Sequence, residues 1–389
     1  MQLSSKPAEE LAKFLVDSSD GAFELVAFAS GGSEAMEAVI KLARQYYVET
    51  GQPKRKNFIA RQLSFHGNTL STLSLAYHPA RRAPYVDILD IEHFHHVSPA
   101  YAKRFQREDE TEEQYVERLR QELENKFLEL GPDTVIGFVA ETVVGATTGV
   151  VGAPKGYFAA MKLVCEKYGA LFILDEVMSG MGRMGSLHAW QSVGDGASPD
   201  IQAVAKGLGG GYASIGAVLM SPRVSKGIKG GSGLLKHGHT YQAHPLACVA
   251  ALAVQKVISE ENLLSRAVEN GELMSTLLRQ GLQAEGTIAK PFCFDIRGRG
   301  AFWGIEFDFD VPDAANMDGK GESFAMAVQA RCFDNGLIVI GMTGGANIEG
   351  TKGDYIILGP AYNATKEEID QMVVILVRSV EEVLREWLS

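Results

Sequence analysis

Short apolar runs that end in a charged residue or a glycine turn, and that alternate with helical patterns, constrain this chain more than any other feature. Glu24 to Ala29, Thr134 to Ala140, Leu171 to Leu174, Ile201 to Ala205 and Gly216 to Met220 read as strands. Between them, Ser33 to Thr50 reads as a helix, with Met36, Val39, Ile40, Ala43 and Tyr47 on one face and Gly51 as its stop. Thr111 to Leu130 is a charged helix that opens on a capping box of Thr111 and Gln114. Tyr157 to Tyr168 is a third helix, and Pro245 to Ser259 begins a longer helical stretch. Strands that are apolar along their whole length need cover on both faces. They therefore predict an α/β fold with a mostly parallel sheet between layers of helices. After about residue 280 the pattern changes. Short strands near Phe292 to Arg297, Phe302 to Phe307 and Tyr355 to Leu358 flank a helix near Glu322 to Asn335, and a last helix runs from Thr365 to Trp387. That pattern predicts a smaller α+β unit over 281–389, after a large unit over 21–280 and a helix within 1–20.

Composition narrows the function. The chain has 389 residues and a formal charge of −11. An acidic surface repels phosphate backbones, which argues against nucleic acid as a partner. The longest apolar run, Leu246 to Val254, is far shorter than the roughly 20 residues that span a bilayer. The first residues include Lys6, Glu9 and Glu10 and contain no apolar stretch of the secretory kind. Cys165, Cys248, Cys293 and Cys332 are far apart and form no CxxC, which speaks against a disulfide framework or a structural zinc. The groups His93, His95, His96 and His237, His239, His244 match no ligand spacing, so no metal is expected. The expectation is a cytoplasmic protein that engages no membrane.

In open α/β sheets ligands bind at the carboxyl ends of the strands, and three such ends carry chemistry. Ser30-Gly31-Gly32-Ser33-Glu34-Ala35 joins a strand to a helix start, where free N–H groups and a positive dipole end can cradle phosphate; a capped helix after a tight turn is the other reading. Phe172-Ile173-Leu174-Asp175-Glu176-Val177 places an acid where it can hold a cationic ring nitrogen or a metal, or serve as a helix cap or a ribose-binding acid. Ala203-Val204-Ala205-Lys206-Gly207-Leu208-Gly209-Gly210-Gly211 places one lysine between an apolar strand and a glycine-rich loop. A desolvated lysine there could condense with an aldehyde, whereas a solvated one would be a mere turn residue. Taken together, a phosphate cradle, an acid for a pyridinium nitrogen and a Schiff-base lysine describe a pyridoxal phosphate site.

These segments and several others, in order, resemble the class III aminotransferases, pyridoxal-phosphate enzymes of fold-type I. The resemblance covers nearly the whole chain. It includes Phe65-His66-Gly67-Asn68-Thr69, Glu141 with Gly145, Gly180-Met181-Gly182-Arg183, Pro199-Asp200-Ile201, and His239-Thr240-Tyr241 before Pro245-Leu246-Ala247-Cys248. It implies pyridoxal 5'-phosphate as coenzyme and ping-pong transamination between a small-molecule amine donor and a carbonyl acceptor, a keto acid or an aldehyde. Lys206 would form the Schiff base and shuttle the proton, and Asp175 would pair with the ring nitrogen. Gly32 and Ser33 would bind the phosphate, while Phe65 and Val177 would cover the two ring faces. His66 would orient nearby polar groups, and Glu141 matches an acid near the coenzyme. Thr240 would reach the phosphate across a homodimer interface. By the same resemblance, residues 21–280 form the coenzyme-binding domain and the helix within 1–20 is a remnant of the small domain.

This chain departs from the family pattern at three places. Only about twenty residues precede the first strand, fewer than the family usually has. Its Glu-Pro reads Glu141-Thr142, and Ile357 stands where many members hold the substrate carboxylate with arginine. Lys352, Arg297 and Arg299 are the remaining candidates for that charge, and the expectation is a preference for apolar or long-tailed donors over short dicarboxylates. The rival readings are an aminomutase, racemase or phospho-lyase on the same fold, or a truncated non-catalytic paralogue. A nicotinamide dehydrogenase fails, because no GxGxxG follows the first strand.

Overall fold

The computed structural model describes residues 4–311 and 321–389. Its strands, in chain order, are β1 (Leu25–Ala29), β2 (Asn57–Arg61), β3 (Phe94–Val97), β4 (Val135–Glu141), β5 (Val143–Val144), β6 (Val151–Gly152), β7 (Leu171–Asp175), β8 (Ile201–Val204), β9 (Gly216–Met220), β10 (Cys293–Arg299), β11 (Phe302–Phe307), β12 (Ile340–Thr343) and β13 (Asp354–Leu358). Seven of them form one sheet in the order β1-β9-β8-β7-β4-β2-β3. Only β9 runs against its neighbours; β2, β3, β4, β7 and β8 pair in parallel. The expected mostly parallel α/β sheet is present.

Alternation along each strand serves two cores. On β7, Leu171 and Ile173 pack with Met36, Val39 and Ala43 of the helix Gly32–Glu49. Phe172 and Leu174 face the other way, toward Leu119, Leu123 and Phe127 of the helix Glu112–Leu130. This is why the strands read as unbroken apolar runs. The capping box at Thr111 and Gln114 forms as expected.

A second, antiparallel sheet has the order β10-β11-β13-β12. It packs on the helices Leu263–Leu282, Phe324–Asp334 and Lys366–Leu388. By resemblance, residues 1–20 are expected to be a remnant of this smaller unit. Residues 1–3 lie outside the described residues, as do 312–320 of the smaller unit. The helix Lys6–Asp17 instead buries Leu11 and Leu15 against Val204, Leu219 and Leu252, in the core of the large sheet. The physical reason is exposure: Ala217 and Leu219 of β9 present apolar side chains that need cover.

Candidate active site

The register of the large sheet assembles the site. Glu141 at the end of β4 lies opposite Asp175 at the end of β7, and Asp175 lies opposite Ala203 of β8. The Asp175 carboxylate is fixed on both oxygens: one accepts the Val177 N–H at 3.0 Å, and the other is 2.9 Å from His66 Nδ1. His66 is buried, and its Nε2 has no hydrogen-bond partner among the described residues. Glu141 is also buried, and burial raises its pKa. It accepts the Phe65 N–H at 3.0 Å and the Gly145 N–H at 3.1 Å, which joins the aromatic loop to the turn after β5. Thr142 follows on the same edge. Its N–H donates to the Asp175 carbonyl at 3.2 Å, and its hydroxyl donates to Glu176 at 2.8 Å.

The helix Gly32–Glu49 begins where β1 ends and has no side-chain cap at Gly31, so its first N–H groups are left for another acceptor. A Cβ on Gly32 would lie 2.7 Å from Val177 and 3.6 Å from Ala205, which is why glycine is required there. The Ser33 hydroxyl accepts the Asn68 N–H at 3.1 Å and ties this turn to the Phe65 loop.

Lys206 occupies the left-handed region with φ of 38°, a sparsely populated backbone state for a residue with a side chain. Its carbonyl accepts the N–H groups of Gly209 and Gly210. Buried Gln255 holds the same turn from below, donating to the carbonyls of Gly207 and Leu208. The Lys206 amine reaches solvent through the cavity and has no hydrogen bond or ion pair among the described residues. The enclosing protein still lowers its pKa by desolvation. The negative charges of Asp175 and Glu141 oppose that shift, and Arg183 and Arg81 assist it.

Gly32, Ser33, Phe65, His66, Glu141, Asp175, Val177 and Lys206 line one cavity of about 310 Å³. Thr240 does not reach it; it is exposed on the segment before the helix Pro245–Glu260. Sequence reasoning missed Met178, Ser214 and Ile215 of the wall. The first follows Val177 directly, and the other two return from the glycine-rich loop, so adjacency was the available signal.

The class III aminotransferase family matches residues 1–380. The chain belongs to that family. An aminotransferase of Gibberella zeae is 45% identical over 94% of this chain and 70% of its own length. An uncharacterised aminotransferase of Schizosaccharomyces pombe is 40% identical over 98% of this chain and 80% of its own length. An omega transaminase from Pseudomonas jessenii, solved in complex with PMP, superposes with a TM-score of 0.87 at 30% identity, covering 99% of this chain and 81% of that one. This class III aminotransferase is therefore a pyridoxal-phosphate enzyme of fold-type I. Its own atoms fit that coenzyme: an uncapped helix start, a glycine that admits no side chain, an oriented carboxylate and a lysine without a partner.

The candidates for a substrate carboxylate fall elsewhere. Lys352 pairs with Asp310 at 2.6 Å on the surface. Arg297 is enclosed by Glu306 and Asp295, and Arg299 donates to the Met184 carbonyl. Ile357 packs with Val143, Val150 and Phe302. None of them lines the cavity that holds Lys206.

Proposed function

We propose that this aminotransferase moves an amino group from a primary amine or amino acid to a keto acid or aldehyde in two half-reactions centred on Lys206. One observation carries the reading: a single cavity joins the uncapped helix start, the doubly fixed Asp175 carboxylate and the unpartnered lysine. When bound, pyridoxal phosphate supplies an aldehyde for the amino group and a ring that stabilises negative charge on the neighbouring carbon. Lys206 would hold the aldehyde end. Burial lowers its pKa, so its amine is neutral more often than that of a surface lysine at the same pH. A neutral amine can attack a carbonyl, and once free it can take a proton from the substrate carbon and return it.

Asp175 would accept the ring N–H, and its negative charge would keep the proton there. His66 and the Val177 N–H hold the plane of that carboxylate. Gly32 and Ser33 would hold the phosphate with N–H groups and a hydroxyl. Phe65 and Val177 would close the two ring faces and keep water from them. Glu141 would act through Phe65, since both its oxygens are engaged by backbone N–H groups.

The same reading makes the molecule a homodimer in which Thr240 of the partner subunit reaches the phosphate end. Tyr241, next to Thr240, and Leu246, in the first turn of the helix that follows, are 68% and 75% exposed and are apolar surfaces that a second copy would cover. Residues 21–280 then form the coenzyme-binding domain and 281–389 the smaller one, although the helix Leu263–Leu282 spans that boundary and packs its Met274, Leu278 and Leu282 into the smaller core. Four free, buried cysteines suit a reducing cytoplasm, and among the described residues no helix is long and apolar enough to cross a membrane.

The purified protein loaded with pyridoxal phosphate tests this. An amine donor should shift the visible absorbance band, and a carbonyl acceptor should restore it. No shift with any amine of a broad panel overturns the reading. Product formed from the amine alone replaces transamination by elimination.

A further inference from the structure

Glu176 stands between two residues that line the Lys206 cavity, Asp175 and Val177, but does not line it itself. It is buried, and four donors converge on its carboxylate. Oε1 accepts the Thr142 hydroxyl at 2.8 Å and the Trp190 N–H at 2.7 Å. Oε2 accepts the Ala189 N–H at 2.7 Å and the Gln202 amide nitrogen at 2.5 Å. The Gln202 amide is locked in that sense. Its oxygen lies 2.9 Å from Nδ1 of buried His188, whose Nε2 is 3.0 Å from the Ser18 hydroxyl. Four donors call for the ionised carboxylate; burial pushes its pKa up to about 7, and these hydrogen bonds oppose the shift.

Ala189 and Trp190 begin the short helix Ala189–Val193, so the chain returns here to the residue it left. The carboxylate thus closes the loop 177–188 upon its own start. Gly180 makes room for it: a Cβ there would lie 2.9 Å from the Glu176 carbonyl and 3.3 Å from Oε2. The Val177 N–H fixes one oxygen of Asp175, and Val177 lines the cavity. A Cβ on Gly207, next to Lys206, would lie 3.2 Å from the Met181 Cβ, so the lysine turn packs on the same loop. The Met181 carbonyl accepts the Tyr362 hydroxyl at 3.0 Å, and Arg183 donates to the carbonyls of Ala301 and Pro360, which fastens the loop to the smaller unit. Asp175, the lysine turn and the smaller unit all meet this one loop, and one buried carboxylate holds both its ends.

We propose that Glu176 is a positioning residue for the reaction: by closing the loop 177–188 it sets the Val177 contact with the coenzyme ring and the plane of the Asp175 carboxylate, while touching neither coenzyme nor substrate. This rests on the aminotransferase reading above. Thr142 belongs to the same device, since its hydroxyl ties the carboxylate to the end of β4. A carboxylate that served the fold alone would lower the unfolding midpoint when removed and leave the bound coenzyme as it was.

The test compares the full chain, loaded with pyridoxal phosphate, as wild type, Glu176→Gln, Thr142→Val and Thr142→Ser. Each Glu176 oxygen accepts one backbone N–H, so the amide of Glu176→Gln must set its NH2 against one of them. Turnover per bound coenzyme should fall about tenfold to a hundredfold in Glu176→Gln and about threefold to tenfold in Thr142→Val, with Thr142→Ser close to wild type. The loss should lie in kcat, and the donor KM should change less than about twofold, because no contact with substrate is removed. Two readouts do not depend on turnover. The visible circular dichroism of the bound coenzyme should weaken in Glu176→Gln and Thr142→Val, and release of pyridoxal phosphate should quicken about fivefold or more in Glu176→Gln. A lowered urea midpoint with wild-type turnover per coenzyme, release and dichroism overturns the proposal, because Glu176 would then be a tie of the fold alone. A loss confined to KM overturns it as well. If Glu176→Gln does not fold, the two Thr142 variants decide, and equal behaviour of Thr142→Val and Thr142→Ser overturns it. If wild type transfers no amino group, the aminotransferase reading fails, and coenzyme release and dichroism still decide Glu176.

Discussion

Two clusters of charge, one buried around Glu306 and one open to a cavity around Lys206, are completed in opposite ways. Around Glu306 every charge is answered. Arg104 approaches one carboxylate oxygen at 2.7 Å and Arg297 the other at 2.7 Å. Arg104 also pairs with Asp308, and Asp295 with Arg297 and Lys103. The Tyr101 hydroxyl completes the Glu306 carboxylate. This closed group ties residues 101–104 to the four-stranded sheet. Around Lys206 the acids are oriented by N–H groups and by His66, yet the amine has no ion-pair partner among the described residues. Matched charge holds the architecture together, whereas unmatched charge beside a cavity is ready for a ligand.

The contrast can be broken most decisively at Lys206. Lys206→Ala should lower turnover by about 10³-fold or more while pyridoxal phosphate still binds through the remaining contacts, as followed by steady-state rates and coenzyme retention. Near-normal turnover would remove the lysine from the mechanism. At the closed cluster the effect should be on folding. Glu306→Ala leaves Arg104 and Arg297 facing each other without their shared acid, and should cost about 3–5 kcal/mol in urea unfolding. A loss under about 1 kcal/mol would mean that the cluster is not the structural tie described above.

Asp175→Ala should reduce turnover about a hundredfold and weaken coenzyme binding, with Asp175→Glu less affected. Equal rates for Asp175→Ala and wild type would refute its role. The smallest effect is a displacement along the pH axis. Only the neutral amine condenses with an aldehyde, and burial lowers the Lys206 pKa below 10.5. The rate of coenzyme uptake by the apoprotein should therefore rise with pH with a midpoint below 10.5, read as growth of the visible band. A midpoint at or above that value would show that the cavity does not desolvate the amine.

Much of the fold could be read where local signals and tertiary packing agree. The box at Thr111 and Gln114 caps its helix, and the apolar face of Gly32–Glu49 lands on the sheet. Strands β2, β3 and β12 were not legible. β2 ends in Asn57 and Arg61, polar residues that are buried because partners distant in sequence satisfy them: Thr134 for Asn57 and the Glu141 carbonyl for Arg61. β3 carries His95 and His96 at the sheet edge, and β12 contains Gly341 against the helix Phe324–Asp334. The site followed the same division. Lys206, Asp175 and the Gly32-Ser33 turn stand at strand ends or helix starts, positions that a linear pattern reveals. Glu176 gathers its donors from Thr142, Ala189, Trp190 and Gln202 only once the sheet and the loop 177–188 have formed, so no spacing could announce its role.

Thr142 has a consequence for how the molecule moves. The family pattern has proline at this place, which carries no N–H. Here the threonine N–H and hydroxyl add two hydrogen bonds that clamp the end of β4 to β7 and the residue after it, inside the large-sheet core. In amide hydrogen exchange such a group is released only by opening of the sheet itself, so its deuterium should be among the last to appear. The strand end that carries Asp175 is thereby set to exchange no faster than the sheet core around it.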